Sequence, residues 1–459
     1  MDENKEISLV EQALELLNEK KFAALRTLLE DQNPADINDI IDELSDEASV
    51  LLYRILPKEL ASEVFVEMDT DKQEFLINFF SDSQLKDVFD ELYYDDTADI
   101  IEEMPANVVK RILKVVSPDM RKAVNELLKY PEDSAGSIMT TEFVRLKKSF
   151  TVADSLDLIR SVGVNKETIY TCYVTDEKNH LIGIVTAKDL LLSELTESVS
   201  EIMEENVISV NTLEDTEEIV LMFGKYDFLA LPVVDKENRL VGIITVDDAI
   251  DVMQEETEED FSKISAITPS DTEYLKTSVL KLWASRIPWL MILMISATFT
   301  GMIISKFESA LAVLPILTAF IPMLMGTGGN AGSQASVTVI RGISLGQVEF
   351  RDFFKVLWKE CRVSVLCGVV LGIAAIGKVM LVDNLLMGNP EVTIFVALVV
   401  GLTLFATIVS AKIIGCALPL LAKKTGLDPA VMASPLITTL IDTVSLLVYF
   451  YFASLILNI

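Results

Sequence analysis

The chain has 459 residues and a formal net charge of −32, and the charge divides sharply near residue 275: 25 basic and 62 acidic residues precede that point, 13 basic and 8 acidic follow it. An acidic excess of this size excludes nucleic acid and anionic headgroups as partners of the first part and favours cations, although acidic helices also serve solubility alone. With His180 as the single histidine, in a polar turn, neither a histidine-based zinc centre nor a Ser-His-Asp triad is expected, and Cys172, Cys361, Cys367 and Cys416 lack CxxC spacing and read as small apolar residues.

The chain opens MDENKEIS, with no cationic segment leading into an apolar run, so no secretory signal is expected and the first part belongs in the cytosol. Residues 5–130 are helical in period and dense in acid, which predicts short helices stacked into a superhelix over 1–131. QNPADINDIIDEL and DDTADIIEEM share an Asp-Ile element 63 residues apart, at Asp36 and Asp99. A polar hinge, YPEDSAGSIMT, follows.

Residues 174–189 (VTDEKNHLIGIVTAKD) and 233–248 (VVDKENRLVGIITVDD) are near copies offset by 59 residues. Each reads as a β-run, a turn, a second β-run through Gly183 or Gly242, and an acidic helix; SIMTTEFVRL and EIMEENVISV supply the start of each copy. The pattern resembles a tandem pair of CBS domains, over 138–196 and 202–254. In such pairs a Gly-φ-φ-Thr-x-x-Asp element binds a nucleotide ribose, which the resemblance places at Thr186 with Asp189 and at Thr245 with Asp248, with ATP as the candidate ligand. The alternative is that these residues cap the following helices. The segment 248–275 then reads as an acidic connecting helix, with Asp248, Asp251, Glu255 and Glu259 on one face.

Five stretches are long and apolar enough to be membrane spans: about 287–305, 309–340, 363–382, 392–422 and 429–457. Lys276, Lys281 and Arg286 precede the first, Arg341, Arg351, Lys355 and Lys359 follow the second, and Lys423 and Lys424 follow the fourth. The positive-inside rule therefore puts the N-terminal part in the cytosol and the C-terminus outside. Lys306 and Lys378 can snorkel, whereas Lys412 sits inside a span without an evident reason. The second span contains PMLMGTGGNAGSQAS, whose glycines suit close helix packing and whose Asn330, Ser333 and Gln334 suit a polar neighbour. The last contains Asp442, which asks for a cation, a wet path or a partner such as Lys412.

The order of these parts, with GGNAGSQAS in the second span and P-x-x-T-T-x-x-D in the last, resembles the MgtE family of magnesium channels over essentially the whole chain. The resemblance implies a multidomain α-helical membrane protein: an N-terminal acidic α-superhelical domain, a tandem α/β CBS pair, a connecting helix and five transmembrane helices (284–459), assembled as a homodimer in the plasma membrane. It implies that Mg²⁺ passes Asp442, Asn330 and Thr438, and that cytosolic Mg²⁺ closes the pore through Asp95, Asp99, Asp215, Glu217, Asp227, Asp248, Asp251, Glu256, Glu259 and Asp428. Mg²⁺ takes oxygen ligands and keeps its water, so paired Asp442 carboxylates across a two-fold axis fit it. Ser434 stands where the family pattern leads one to expect an amide. Without a Walker lysine or an evident base, ATP is expected to regulate and not to be hydrolysed, so the chain reads as no enzyme. A proton-coupled divalent-cation carrier and a nucleotide-sensing CBS receptor are the alternatives.

Overall fold

Segments of eight to ten residues are too short to hold a helix alone, and the acidic N-terminal stretch solves this by stacking them. In the computed structural model, which describes residues 3–269, 274–275, 277–432 and 434–458, ten helices run from α1 (Glu3–Asn18) to α10 (Pro118–Leu127). α3 (Pro34–Asp42) packs on α5 (Lys58–Val66), α5 on α7 (Asp82–Phe89), and α7 on α9 (Ala106–Val115), while α8 (Tyr94–Glu103) packs on α10. This is the superhelix expected of the period. Its helices start where local chemistry dictates: Pro34 and Pro118 stand in first turns, Asp69 accepts the Lys72 N–H, and Ser81 and Gln84 cap each other. Leu29, Ile37, Phe65, Leu76, Phe89 and Ile112 lie in one continuous core.

The duplicated segments build two three-stranded sheets of the same design. In the first, β1 (Phe143–Lys147) runs parallel to β2 (Thr168–Thr175), which pairs antiparallel with β3 (Leu181–Thr186); in the second, β4 (Val210–Asn211), β5 (Ala230–Val234) and β6 (Leu240–Thr245) repeat the order. Helices α11 (Val152–Val162), α12 (Ala187–Leu192), α13 (Val199–Ile202) and α14 (Thr216–Tyr226) lie between the strands, and α15 (Val246–Ile264) follows. Each copy lends its leading segment to the other's sheet: Thr140 exchanges both backbone bonds with Ile243 at 2.8 and 2.9 Å, and Glu204 does so with Ile184 at 2.9 and 3.0 Å. The repeated glycines sit under these crossings. A Cβ at Gly242 would lie 2.8 Å from the Thr140 carbonyl oxygen, and one at Gly183 would lie 3.1 Å from that of Glu204.

The chain divides into two bodies, Met1–Val252 and Met253–Ile459. The second contains α16 (Val279–Lys306), α17 (Glu308–Val313), α18 (Leu317–Ser344), α19 (Phe353–Lys378) with a π-helical extension at Val379–Leu386, α20 (Ile394–Thr425) and α21 (Ser434–Leu457). Among the described residues, four helices are long and apolar enough to cross a membrane: Val279–Lys306, Phe350–Leu386, Ile394–Thr425 and Ala430–Leu457. α18, the second expected span, is not one of the four. Its 28 residues reach about 42 Å, but Gly, Ser, Thr, Asn and Gln dilute its apolar content. They do so where it meets other helices: Gly328, Gly329 and Gly332 are buried against α20 and α21, and a Cβ at Gly415 of α20 would fall 2.4 Å from the Gly332 carbonyl oxygen. The α19–α20 contact is also close, a Cβ at Gly372 falling 3.0 Å from the Gly401 carbonyl oxygen.

Two expectations need correction. α15 stops at Ile264 and does not run to 275; Ala266 turns into the left-handed region (φ 54°) and Pro269 follows, while residues 270–273 and 276 lie outside the described set. Lys412 does not pair with Asp442: its ammonium lies 3.7 Å from Glu360 of α19, both side chains nearly enclosed.

The glycine contacts set a test of opposite signs. Gly242→Ala should cost roughly 1–3 kcal/mol, because the Thr140 backbone must give way. Gly224→Ala, in α14 with open space around it, should gain roughly 0.5–1 kcal/mol. Calorimetric unfolding of the full chain reads both; equal melting of Gly242→Ala and the parent would rule out the reciprocal strand crossing.

Candidate functional site

Asp442 sits in the middle of α21, half-buried, and its Oδ1 is enclosed without a hydrogen-bond partner. The hydroxyls around it are directed elsewhere. Thr439 donates to the Pro435 carbonyl at 3.0 Å, Thr443 to Thr439 at 3.1 Å and Ser445 to Ile441 at 2.7 Å, each satisfying itself on its own helix. Thr438, one turn before Asp442 and so on the same helical side, lies beside α18: its Oγ1 is 3.5 Å from the Ser333 hydroxyl, and its methyl occupies the space a Cβ on Gly329 would need. The Tyr449 hydroxyl donates to the Leu317 carbonyl at 2.9 Å and ties α21 to the start of α18. The glycine-rich segment therefore does serve close packing. Its other side differs, since Gly326, Asn330 and Gln334 form an exposed stripe. No contact between Asn330 and Asp442 is seen in the single chain.

In the same body, the membrane end of α15 meets the loops of the helical bundle. Asp428, expected as a metal ligand, accepts the Ala430 N–H at 2.7 Å through Oδ1, and its Oδ2 lies 2.6 Å from the Lys263 ammonium, which also holds Glu259 at 2.6 Å. Burial lowers the Lys263 pKa, but hydrogen bonds to Asp428 and Glu259 outweigh it and leave the group raised. Asp260 accepts the Ser344 hydroxyl at 2.9 Å.

The N-terminal body gathers a second set of carboxylates. Asp95 and Asp99, as expected, and Asp96 between them lie on α8; Asp247 and Asp248 start α15; Glu142 and Glu167 come from the segments leading into β1 and β2. Asp95 is 8% exposed, and its Oδ1 has no partner. Burial, and after it the charges of Asp96, Asp248 and Glu167, push its pKa well above the carboxylate range. The same causes raise Asp99 to about 8, Glu167 to about 8 and Asp96 to about 6. Asp248 is raised by burial although it accepts the Thr245 hydroxyl and N–H. Among the described residues no three carboxylates converge closely enough to ligate a bare ion.

The remaining expected residues have local roles. Asp215 caps α14 by accepting the Glu217 N–H at 3.0 Å, and Asp227 closes that helix in the left-handed conformation (φ 55°). Asp251 is exposed on α15, near enough to Glu67 of the superhelix to raise its pKa after burial has done so. Glu256 lies further along α15. Thr186 with Asp189 and Thr245 with Asp248 both cap the helices that follow them. Sequence reasoning missed Asp96, Glu142, Glu167, Asp247, Glu360 and Lys263. Only Asp96 and Asp247, each adjacent to a chosen aspartate, carried a signal that reading could have used.

The sequence matches the divalent cation transporter family over residues 321–452, the MgtE intracellular N domain over 32–133, and the CBS domain over 135–195 and 199–255. It is 36% identical over 448 residues to the magnesium transporter MgtE of Thermus thermophilus, covering 97% of each chain, and 33% identical over 440 residues to that of Bacillus subtilis, covering 96% of this chain and 95% of the relative. Among solved structures, the cytosolic domain of the Mg²⁺ channel MgtE in complex with ATP matches at 37% identity with a TM-score of 0.51, covering 53% of this chain and 99% of that one. The soluble part of a magnesium transporter matches at 29% identity with a TM-score of 0.52, covering 55% and 99%.

The α8 cluster fixes the sign of a pH effect. Its carboxylates have folded pKa values above their unfolded ones, so the stability they confer is complete below about pH 4 and is lost as pH rises through about 6 for Asp96 and about 8 for Asp99 and Glu167. In divalent-free buffer, resistance of the N-terminal body to proteolysis should fall between pH 6 and 8.5. Millimolar Mg²⁺ should flatten that dependence, and a profile that is flat without Mg²⁺ would show that these groups do not share their charge.

Proposed function

Because this chain belongs to the MgtE family of magnesium transporters, we propose that it is a Mg²⁺-selective channel for uptake across the plasma membrane, closed by cytosolic Mg²⁺. The observation that carries the reading is Asp442, on a helix of the membrane body, whose enclosed carboxylate oxygen has no hydrogen-bond partner among the described residues. An unpaired acid at that depth is costly, roughly 2.5–3.5 kcal/mol on insertion scales, and a passing cation offsets the cost. α16 and α18–α21 form the five spans, α18 packing its glycine face on α20 and α21, with the N-terminal body cytosolic and the C-terminus outside. A second copy of the chain completes the path, so that two Asp442 carboxylates, with Asn330 and Thr438, hold a hydrated ion through its water shell.

Closure follows from repulsion. Burial raises the pKa values of Asp95, Asp96, Asp99 and Glu167, and the charge of Asp248 raises each of them further; Mg²⁺ between them favours the compact arrangement by its differential affinity for it. Asp215, Glu217, Asp227, Asp251, Glu256 and Glu259 add negative potential to the same body or helix. ATP, which the related cytosolic domain binds, is proposed to dock on the CBS pair at Thr186, Asp189, Thr245 and Asp248 without being hydrolysed. Asp248 belongs to both sets, which links nucleotide and Mg²⁺ binding.

The test is Asp442→Asn in the full-length protein in liposomes carrying a Mg²⁺-sensitive dye. Flux should fall roughly tenfold or more, while oligomeric state and helix content are unchanged. Parental flux in the mutant would defeat the pore assignment, and flux that strictly required a proton gradient would make the protein a carrier.

A further inference from the structure

Lys263 stands in the last turn of α15, and its one ammonium group spans two carboxylates. Oε1 of Glu259, one turn back on the same helix, is 2.6 Å away, and so is Oδ2 of Asp428, in the loop between α20 and α21. The second oxygen of Asp428 takes the Ala430 N–H, so the protein itself engages both sides of that carboxylate. Three residues before Lys263, Asp260 accepts the hydroxyl of Ser344, the last residue of α18. The membrane end of α15 is thus fastened to two separate places in the helical bundle by groups of this chain alone. Side-chain exposures of 23% for Lys263, 42% for Glu259 and 32% for Asp428 place the link at a partly enclosed junction, beyond what a freely solvated surface pair would show.

We infer that Lys263 is a positioning residue, a tethered cation that holds Glu259 against Asp428 in place of a divalent ion and thereby sets how much Mg²⁺ is needed to close the channel. Two carboxylates drawn to one point repel, and something positive must stand between them. A lysine on the same helix does so at every Mg²⁺ concentration, with one charge and a fixed stem, whereas a Mg²⁺ ion there brings two charges and its own water. With Lys263 present, the contact persists when Mg²⁺ is scarce and responds weakly to it, and the steep response is left to the α8 cluster. With Lys263 removed, Glu259 and Asp428 separate at low Mg²⁺ and come together only when an ion replaces the ammonium. Closure then costs more Mg²⁺ and involves more ions, so its midpoint rises and its slope steepens.

This inference rests on the proposed closure by Mg²⁺, and one readout is independent of it. Hydrogen–deuterium exchange of full-length protein in detergent with EDTA reports the opening of residues 253–264 without any ion present. Lys263→Gln should speed exchange there roughly two- to tenfold, and Lys263→Arg should restore parental exchange, since arginine keeps the charge and reach. Liposome flux across a Mg²⁺ titration should show the closing midpoint of Lys263→Gln moved upward by a similar factor, with a steeper response, and Lys263→Arg near the parent. Unchanged exchange in Lys263→Gln would overturn the tether outright. Faster exchange with an unmoved closing midpoint would overturn its part in closure. If the parent itself showed no Mg²⁺-dependent closure, the proposed function would fail while the exchange comparison still decided the tether.

Discussion

A carboxylate withdrawn from water must meet a cation, take up a proton or be opened to something that passes by; this chain uses the first two, and the proposed function assigns it the third. Glu360 meets the first condition with Lys412, and Glu259 and Asp428 meet it with Lys263. The α8 cluster meets the second, since burial and mutual repulsion push Asp99 and Glu167 to about 8. Asp442 has an enclosed oxygen with no protein group to answer it. Cations of the chain itself thus stand where helices of the second body must stay together.

Holding carboxylates in such places requires backbones that approach closely, and glycine does that work in both bodies. Gly183 and Gly242 let each CBS copy accept a strand from the other, which fixes the segment carrying Glu142 and the helix start carrying Asp248. Gly329 and Gly332 let α18 lie flat against α20 and α21, so Thr438 and the turn that bears Asp442 are set by packing and not by a flexible loop.

Much of this was readable in advance because it repeats or has a period. The 59-residue duplication gave both sheets and both glycines, the helical period gave the superhelix, and Asp442 stood out against an apolar background. What stayed hidden depends on contacts between distant segments. Glu142 and Glu167 look like ordinary surface acids until the sheet brings them beside α8, and Glu360 looks like part of a basic cytosolic run until α20 presents Lys412 to it. α18 was placed among the spans by length, yet hydropathy alone does not qualify it, because composition counts a glycine or serine as polar whether it faces lipid or another helix. Asp215 and Asp227 sit at the two ends of α14, the first capping it with its side chain and the second closing it through its backbone, and sequence cannot tell such a helix-end role from a ligand's.

The connecting helix is where these solutions meet. One uninterrupted run, Val246–Ile264, carries Asp248 in its first turn and Lys263 in its last. At 19 residues it is a rod of about 28 Å, with no glycine or proline to absorb a displacement within it. The Lys263 bridge and the Asp260–Ser344 bond fasten its far end to the helical bundle. Under the proposed function, sensitivity to Mg²⁺ is then a balance between an ion-dependent contact at one end of a stiff helix and an ion-independent one at the other.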